Sequence, residues 1–425
     1  VSRAADTLAR NLELVAANPA MGEDNITAPK ALAARASAIL LAVGAAGLAL
    51  TIVGGVTVNG RHALASYIAA VMGVLAISLG ALFFHMILGL TNSGWHVSVR
   101  RQMENIFAQV PLCLVLVLVF VVIELANGGV LLRWLGPDNN HLLEHKNPYL
   151  NPVFFVIRFV VYAAVWMYLV LRMRGWSVAQ DTSGDPMLTR RMRFNAGWGL
   201  LALAVTSSFA AYDWMMSMDY RFFSTMWGVY YFAGAAGSSF ALLVIVLAVL
   251  RGLGRLTGAV TEEHFADIGK FMFGFTIFWA YIAYSQYFLI WYSDIPEETF
   301  YMARRGADGW EALKNILMFG HFMIPFVLLL FRPIKRSTWG LAAVGVWLIA
   351  MQFADMVWVV RPMVYADVAP NLVPGWQRWW IDAVAIIGVL GVYLGMLTRT
   401  IASGPLVPLK DPRMHESLAH RNWVG

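Results

Sequence analysis

Apolar runs separated by short polar connectors repeat along nearly the whole chain. About 20 apolar residues in a helix cross the hydrocarbon layer of a bilayer. About ten runs reach that length, near 38–58, 64–91, 104–126, 152–173, 195–217, 222–250, 268–293, 311–332, 338–360 and 377–399. The pattern predicts an all-α integral membrane protein whose membrane domain covers 31–400. A polar arm, 1–30, precedes it with a short amphipathic piece (Leu8, Leu12, Val15) read as docking on a partner or the membrane surface. A second polar tail, 401–425, follows. Residues 1–30 show no signal-peptide pattern, because the first apolar run begins too late. Short connectors make neighbouring helices antiparallel.

Six ionisable side chains interrupt these runs: His85, Glu124, Arg158, Asp213, His321 and Asp355. A charge at the centre of a membrane helix costs roughly 2.5–3.5 kcal/mol on insertion scales, so such residues face a bundle interior and mark function. They point to protons, ions or a redox lipid. Asp219, Asp294 and Asp382 fall at run ends, where solvation favours a bland reading.

Composition agrees with a membrane protein. The 425 residues are 59% hydrophobic and only 13% charged, with mean hydropathy +0.63, whereas a soluble domain carries about a quarter charged residues. Seventeen Trp and fifteen Tyr suit interfacial belts; Tyr287, Trp291 and Tyr292 read as such. The net charge of +6 contains no basic block long enough for nucleic acid. Lys and Arg on the side of the termini outnumber those on the other side roughly twofold, which places both termini in the cytoplasm. Glu124, Asp213 and Asp355 then lie toward the outer side, His85 toward the cytoplasm, and His321 nearer the middle.

A short internal echo joins SSFAAYDWMMSM in the fifth run to MQFADMVWVVRPM in the ninth, each with an Asp near the outer end. Four helices separate them, as in parallel repeats. The expected architecture is two four-helix bundles, helices 2–5 (64–217) and 6–9 (222–360), with helices 1 and 10 flanking. Gly44/Gly47, Gly54/Gly55 and Gly234/Gly237/Ser238 read as close-packing positions.

Cofactor chemistry has little support in the residues. The single Cys113 lies in an apolar run and reads as a small buried hydrophobe; no thiolate cluster exists to hold zinc or iron–sulfur. Of nine histidines only His85 and His321 fall inside runs, and a bis-His haem between them is disfavoured by depth. His62, His96, His141, His145, His264, His415 and His420 read as loop or tail residues. Proton transfer fits better: His85 and His321 can titrate near neutrality, and Glu124, Asp213 and Asp355 are buried acids. Tyr281, Tyr284 and Ser285 share one helical face and extend the proton-path candidates. Arg158 reads as structural pairing for a carboxylate. A quinone pocket around Asp213, Trp214 and Asp355 is a third reading.

Three stretches carry a family resemblance: AAYDWMMSMDYRFFSTMWGVYYFAG (210–234), IGKFMFGFTIFWAYIAYSQYFLIWYSDIPEE (268–298) and NILMFGHFMIPFVLLLFRPIKR (315–336). Over about 30–400 the chain resembles the second large membrane subunit (ActF) of alternative complex III, related to the NrfD and polysulfide-reductase membrane subunits. The resemblance implies a ten-helix subunit of a quinol-oxidising respiratory complex in a bacterial inner membrane, with menaquinol or another quinol as substrate of the complex. It implies as partners a homologous quinol-binding membrane subunit, an iron–sulfur subunit, multihaem c-type cytochromes and lipid. The c haems and iron–sulfur clusters lie on those partners, and this chain binds no redox cofactor and is not catalytic alone. The family proposal of proton conduction maps onto Asp213, His321 and Asp355, with Glu124 and His85 as further candidates. Two rivals stand beside this reading: a secondary transporter with a midplane charged site, and a purely structural membrane scaffold with a vestigial quinone pocket.

Overall fold

The computed structural model describes residues 2–136, 141–307, 309–364 and 378–422, with the side chains of 2–8 and 297 left out. The described residues are helical, with no strand among them. Among the described residues ten helices are long and apolar enough to cross a membrane: α1 Lys30–Thr57, α2 Gly60–Leu90, α3 Val97–Ala126, α4 Pro152–Ser183, α5 Pro186–Trp214, α6 Trp227–Gly252, α7 Glu262–Ser293, α8 Trp310–Leu330, α9 Thr338–Val360 and α10 Trp379–Ala402.

Local chemistry sets their ends, often beyond the apolar runs. Asn151 caps α4 by accepting from the Phe154 amide at 2.9 Å, and Asp185 caps α5 through the Met187 amide at 2.8 Å. Gly184 takes the left-handed conformation between them (φ +63), closing a tight antiparallel turn. α3 begins well before its apolar run. Its first segment, Val97–Phe107, carries Arg100, Arg101 and Glu104 yet is buried throughout.

α2 runs through the middle of the molecule and packs on α1, α3, α5, α6, α9 and α10. Its Ala, Gly and Ser positions permit close neighbours; a methyl group at Gly80 would overlap the Ala235 carbonyl of α6. α1 and α10 form the most extensive helix pair. A Cβ on Gly47 would sit 2.6 Å from the Gly388 nitrogen, and one on Gly44 2.5 Å from the Val392 nitrogen. Backbones this close gain dispersion contacts that larger side chains would forbid.

Both polar termini fold back on the chain. The Ile26 carbonyl accepts from the Leu406 amide at 2.7 Å, and the Asn25 carbonyl from the Leu256 amide at 2.9 Å. The amphipathic helix Ser2–Ala16 packs on the tail helix Met414–Leu418 with Val15 buried; the Leu8 side chain lies outside the described residues. The arm therefore rests in part on its own tail. The tail is likewise no loose polar strand: Leu406, Val407, Asp411, Met414 and Ser417 are buried.

Candidate functional site

The buried ionisable groups gather in separate clusters, most of them internally neutralised. On the side of the molecule opposite the termini, Asp213 of α5 accepts from four donors: Arg158 Nε at 2.7 Å and Nη2 at 2.9 Å, Tyr162 Oη at 2.8 Å and Tyr149 Oη at 3.0 Å. Arg158 and Tyr162 lie one turn apart on α4, so one helical face supplies three of them. A carboxylate offers about four lone-pair sites, and all are occupied. Trp214 is buried beside Asp213 against Phe159, Tyr162 and Trp166.

Glu124, at the end of α3, accepts the Leu131 amide at 3.0 and 3.1 Å and the Leu132 amide at 3.0 Å. Gly128 and Gly129 both have positive φ, turning the chain so that successive N–H groups converge on the carboxylate. Asp382 of α10 is held by Arg361 Nε at 2.8 Å, Ser66 Oγ at 2.6 Å and His62 Nε2 at 3.3 Å. The solvated reading of Asp382 and the loop reading of His62 are thus both corrected. Helix ends drawn by hydropathy stop short of a buried ion pair. Asp219 is buried too, 3.2 Å from Arg221 Nε.

On the side of the termini, Glu104 lies 3.2 Å from both Arg100 Nε and Arg101 Nη1, and accepts from Ser177 Oγ at 2.6 Å. Arg101 reaches Asp181 at 2.6 Å, and Arg100 pairs with Asp411 of the tail. His85 approaches this group, its Nδ1 4.0 Å from Glu104 and its ring edge-on to Phe107. Burial opposes the charge on Asp411, but the Arg100 guanidinium and the Arg413 amide outweigh it and hold the carboxyl below its ordinary value. Burial also lowers the neighbouring His96, with Arg100 adding to the effect, to about 3. The spacing of Arg100, Arg101 and Glu104 signals i,i+3 and i,i+4 pairing in the sequence. Asp411, some three hundred residues away, gives no such signal.

Asp355 differs from all of these. It is 1% exposed on α9, and its hydrogen bonds come from Tyr230 Oη of α6 and from Trp279 Nε1 of α7 at 3.1 Å. Both donors are neutral. No cation and no backbone amide is bonded to it among the described residues. Trp279 stacks on His321 of α8, ring centroids 3.9 Å apart. His321 sits in a widened helical turn, Leu317–Met323. Pro325 has no N–H for the carbonyl four residues earlier, which is that of His321, and the wider turn is the usual relief. One turn before Asp355, Gln352 is fully buried with neither amide atom bonded among the described residues.

The sequence-predicted residues therefore divide. Asp355 and His321 are brought together through Trp279. Asp213 and Trp214 belong to a different cluster, so Asp213, Trp214 and Asp355 form no common pocket; none of them lines the large cavity beside α7 and α8. Tyr281 and Tyr284 point outward, 63% and 65% exposed. They lie on that cavity's rim, while Ser285 is half-buried outside it. Sharing a helical face does not say which face turns inward. Arg305, like Arg361, is a buried cation that sequence reading missed. Its Nη groups bond the Tyr301 carbonyl at 3.0 Å and the Val359 carbonyl at 2.5 Å, and burial lowers its pKa.

No protein-family model and no curated protein matches the chain.

Proposed function

We propose that the chain is a multi-pass membrane subunit that passes protons through its interior, with Asp355 as the central carrier. The observation that carries this reading is the lone position of Asp355. The other buried acids described above are held by Arg or backbone N–H groups, whereas Asp355 meets only the Tyr230 hydroxyl and the Trp279 indole. A buried charge fixed by a cation stays put, and breaking such a pair costs about 3–5 kcal/mol. A carboxyl held by neutral donors can gain and lose a proton without breaking an ion pair.

His321, across Trp279, is the next titratable group in this half of the molecule, and Gln352 adds a buried amide one turn away. His85 serves the side of the termini, next to the arginine-held Glu104. Phe84, Phe240, Phe271 and Phe275 pack together from α2, α6 and α7, a dry layer suited to preventing leak. Glu124 and Asp213 act in this scheme as fixed charges. The quinone pocket built on Asp213, Trp214 and Asp355 does not fit, since Asp213 has no free acceptor site and the three share no cavity.

The ten apolar helices support a membrane-inserted chain, arranged in this reading as two four-helix bundles, α2–α5 and α6–α9, with α1 and α10 flanking. The Lys/Arg bias supports cytoplasmic termini. The resemblance to the alternative complex III subunit supports a place in a quinol-oxidising complex of a bacterial inner membrane, beside c haem and iron–sulfur partners. Gentle purification through a tag on this chain, with an optical spectrum and mass spectrometry of what co-elutes, tests that placement. A red preparation containing c haems and an iron–sulfur protein is expected. A colourless, solitary chain would overturn it.

A further inference from the structure

A large cavity, about 1260 Å³, opens between α7, α8 and the short helix Pro296–Arg305. Its buried polar lining is rich in donors. Trp227, Gln286, Tyr301, Arg305 and Trp358 line it, and in these residues Trp227 Nε1, Gln286 Nε2, Tyr301 Oη, Arg305 Nε and Trp358 Nε1 each lack a hydrogen-bond partner among the described residues. Trp227, Gln286, Tyr301 and Arg305 are more than nine-tenths buried. Arg and Trp side chains donate only. The carboxylate on the wall, Asp294, is exposed, as is Lys314 on the rim.

A buried guanidinium whose Nη groups meet only backbone carbonyls and which has no ion pair among the described residues, beside unmet donors, favours an anionic, acceptor-rich group. The remaining wall is aromatic and apolar, and its mouth carries Tyr284, Tyr287 and Trp291, exposed on the outer face of α7. The volume exceeds the roughly 300–1,000 Å³ of ordinary small-ligand pockets, leaving room for hydrocarbon. We infer that this cavity is a binding site for an anionic phospholipid, its phosphate held by Arg305, Tyr301 and Gln286 and an acyl chain lying along the aromatic wall of α7. A neutral quinone would accept hydrogen bonds but leave the Arg305 charge uncompensated. The inference rests on the membrane reading above and adds a ligand to it.

The test places the full chain in phosphatidylcholine nanodiscs containing a minor share of phosphatidylglycerol, then reads retained lipid by native mass spectrometry after transfer to detergent. One phosphatidylglycerol should remain per chain, selected over phosphatidylcholine. Arg305→Gln should lower its retention about tenfold or more, the scale of a lost charge-assisted hydrogen bond. If Arg305→Gln fails to fold, Gln286→Leu decides, because it removes an unbonded amide and should also weaken retention. Equal retention of both lipids, a bound quinone in their place, displacement by inorganic phosphate, or unchanged retention in the variants would overturn the inference. A chain that inserts but shows no selectivity defeats this site alone; one that stays out of the bilayer defeats the membrane reading.

Discussion

At the scale of residues, the same type of side chain has opposite meanings depending on its partners. Asp213 and Asp355 are both 1% exposed, and both precede a bulky residue in the echoed motif. Asp213 is clamped by Arg158 and two tyrosines, so removing the cation alone strands a buried charge. Arg158→Ala should destabilise the protein by about 3–5 kcal/mol, whereas the paired change Arg158→Met with Asp213→Leu should recover most of the loss. Thermal unfolding in detergent checks this, and a double variant no better than the single one would contradict it. Asp355→Asn should instead leave folding and assembly intact, because no ion pair is lost. The sequence marks both acids as unusual. It does not separate them, because Arg158, Tyr149 and Tyr162 carry no label saying which carboxylate they will meet.

At the scale of elements, the ten helices were legible because a run of about 20 apolar residues has few other uses. Their polar ends were not. Residues 97–103 fall in the connector before the third run, yet their Arg100 and Arg101 neutralise Glu104 inside the protein. The face of Tyr281 and Tyr284 was legible as a face but not as an outward one, since α7 carries aromatics on several sides. Gly44 and Gly47 were read as packing positions, and the α1–α10 crossing is where they act. Gly47→Val should force α1 and α10 apart, at the roughly 1–3 kcal/mol of an overpacked contact or more. The expected result is a lowered unfolding temperature; unchanged stability would show that the crossing tolerates separation.

At the scale of the whole molecule, the folded termini make a cap over the Arg100–Glu104 cluster, and its pH response follows from His96 and Asp411. His96, depressed to about 3, stays neutral in the folded state while the unfolded chain takes up a proton below about pH 6.5. Stability contributed by neutral His96 is therefore present above that pH and falls below it, by up to about 1.4 kcal/mol per pH unit. Asp411 adds a further loss only below about pH 4, its ordinary range. Protection factors of the amides in residues 406–418, which remove the intrinsic pH dependence of exchange, should fall from mildly acidic pH downward, and His96→Gln should flatten the first part of that fall. A flat profile in the wild type would contradict the cap.

The central claim is that Asp355 carries protons. It is tested most directly by reconstituting the complex purified through this chain into proteoliposomes and measuring protons moved per electron during quinol oxidation. Asp355→Asn should retain assembly and electron transfer while the proton count drops. An unchanged proton-to-electron ratio in that variant would contradict the account.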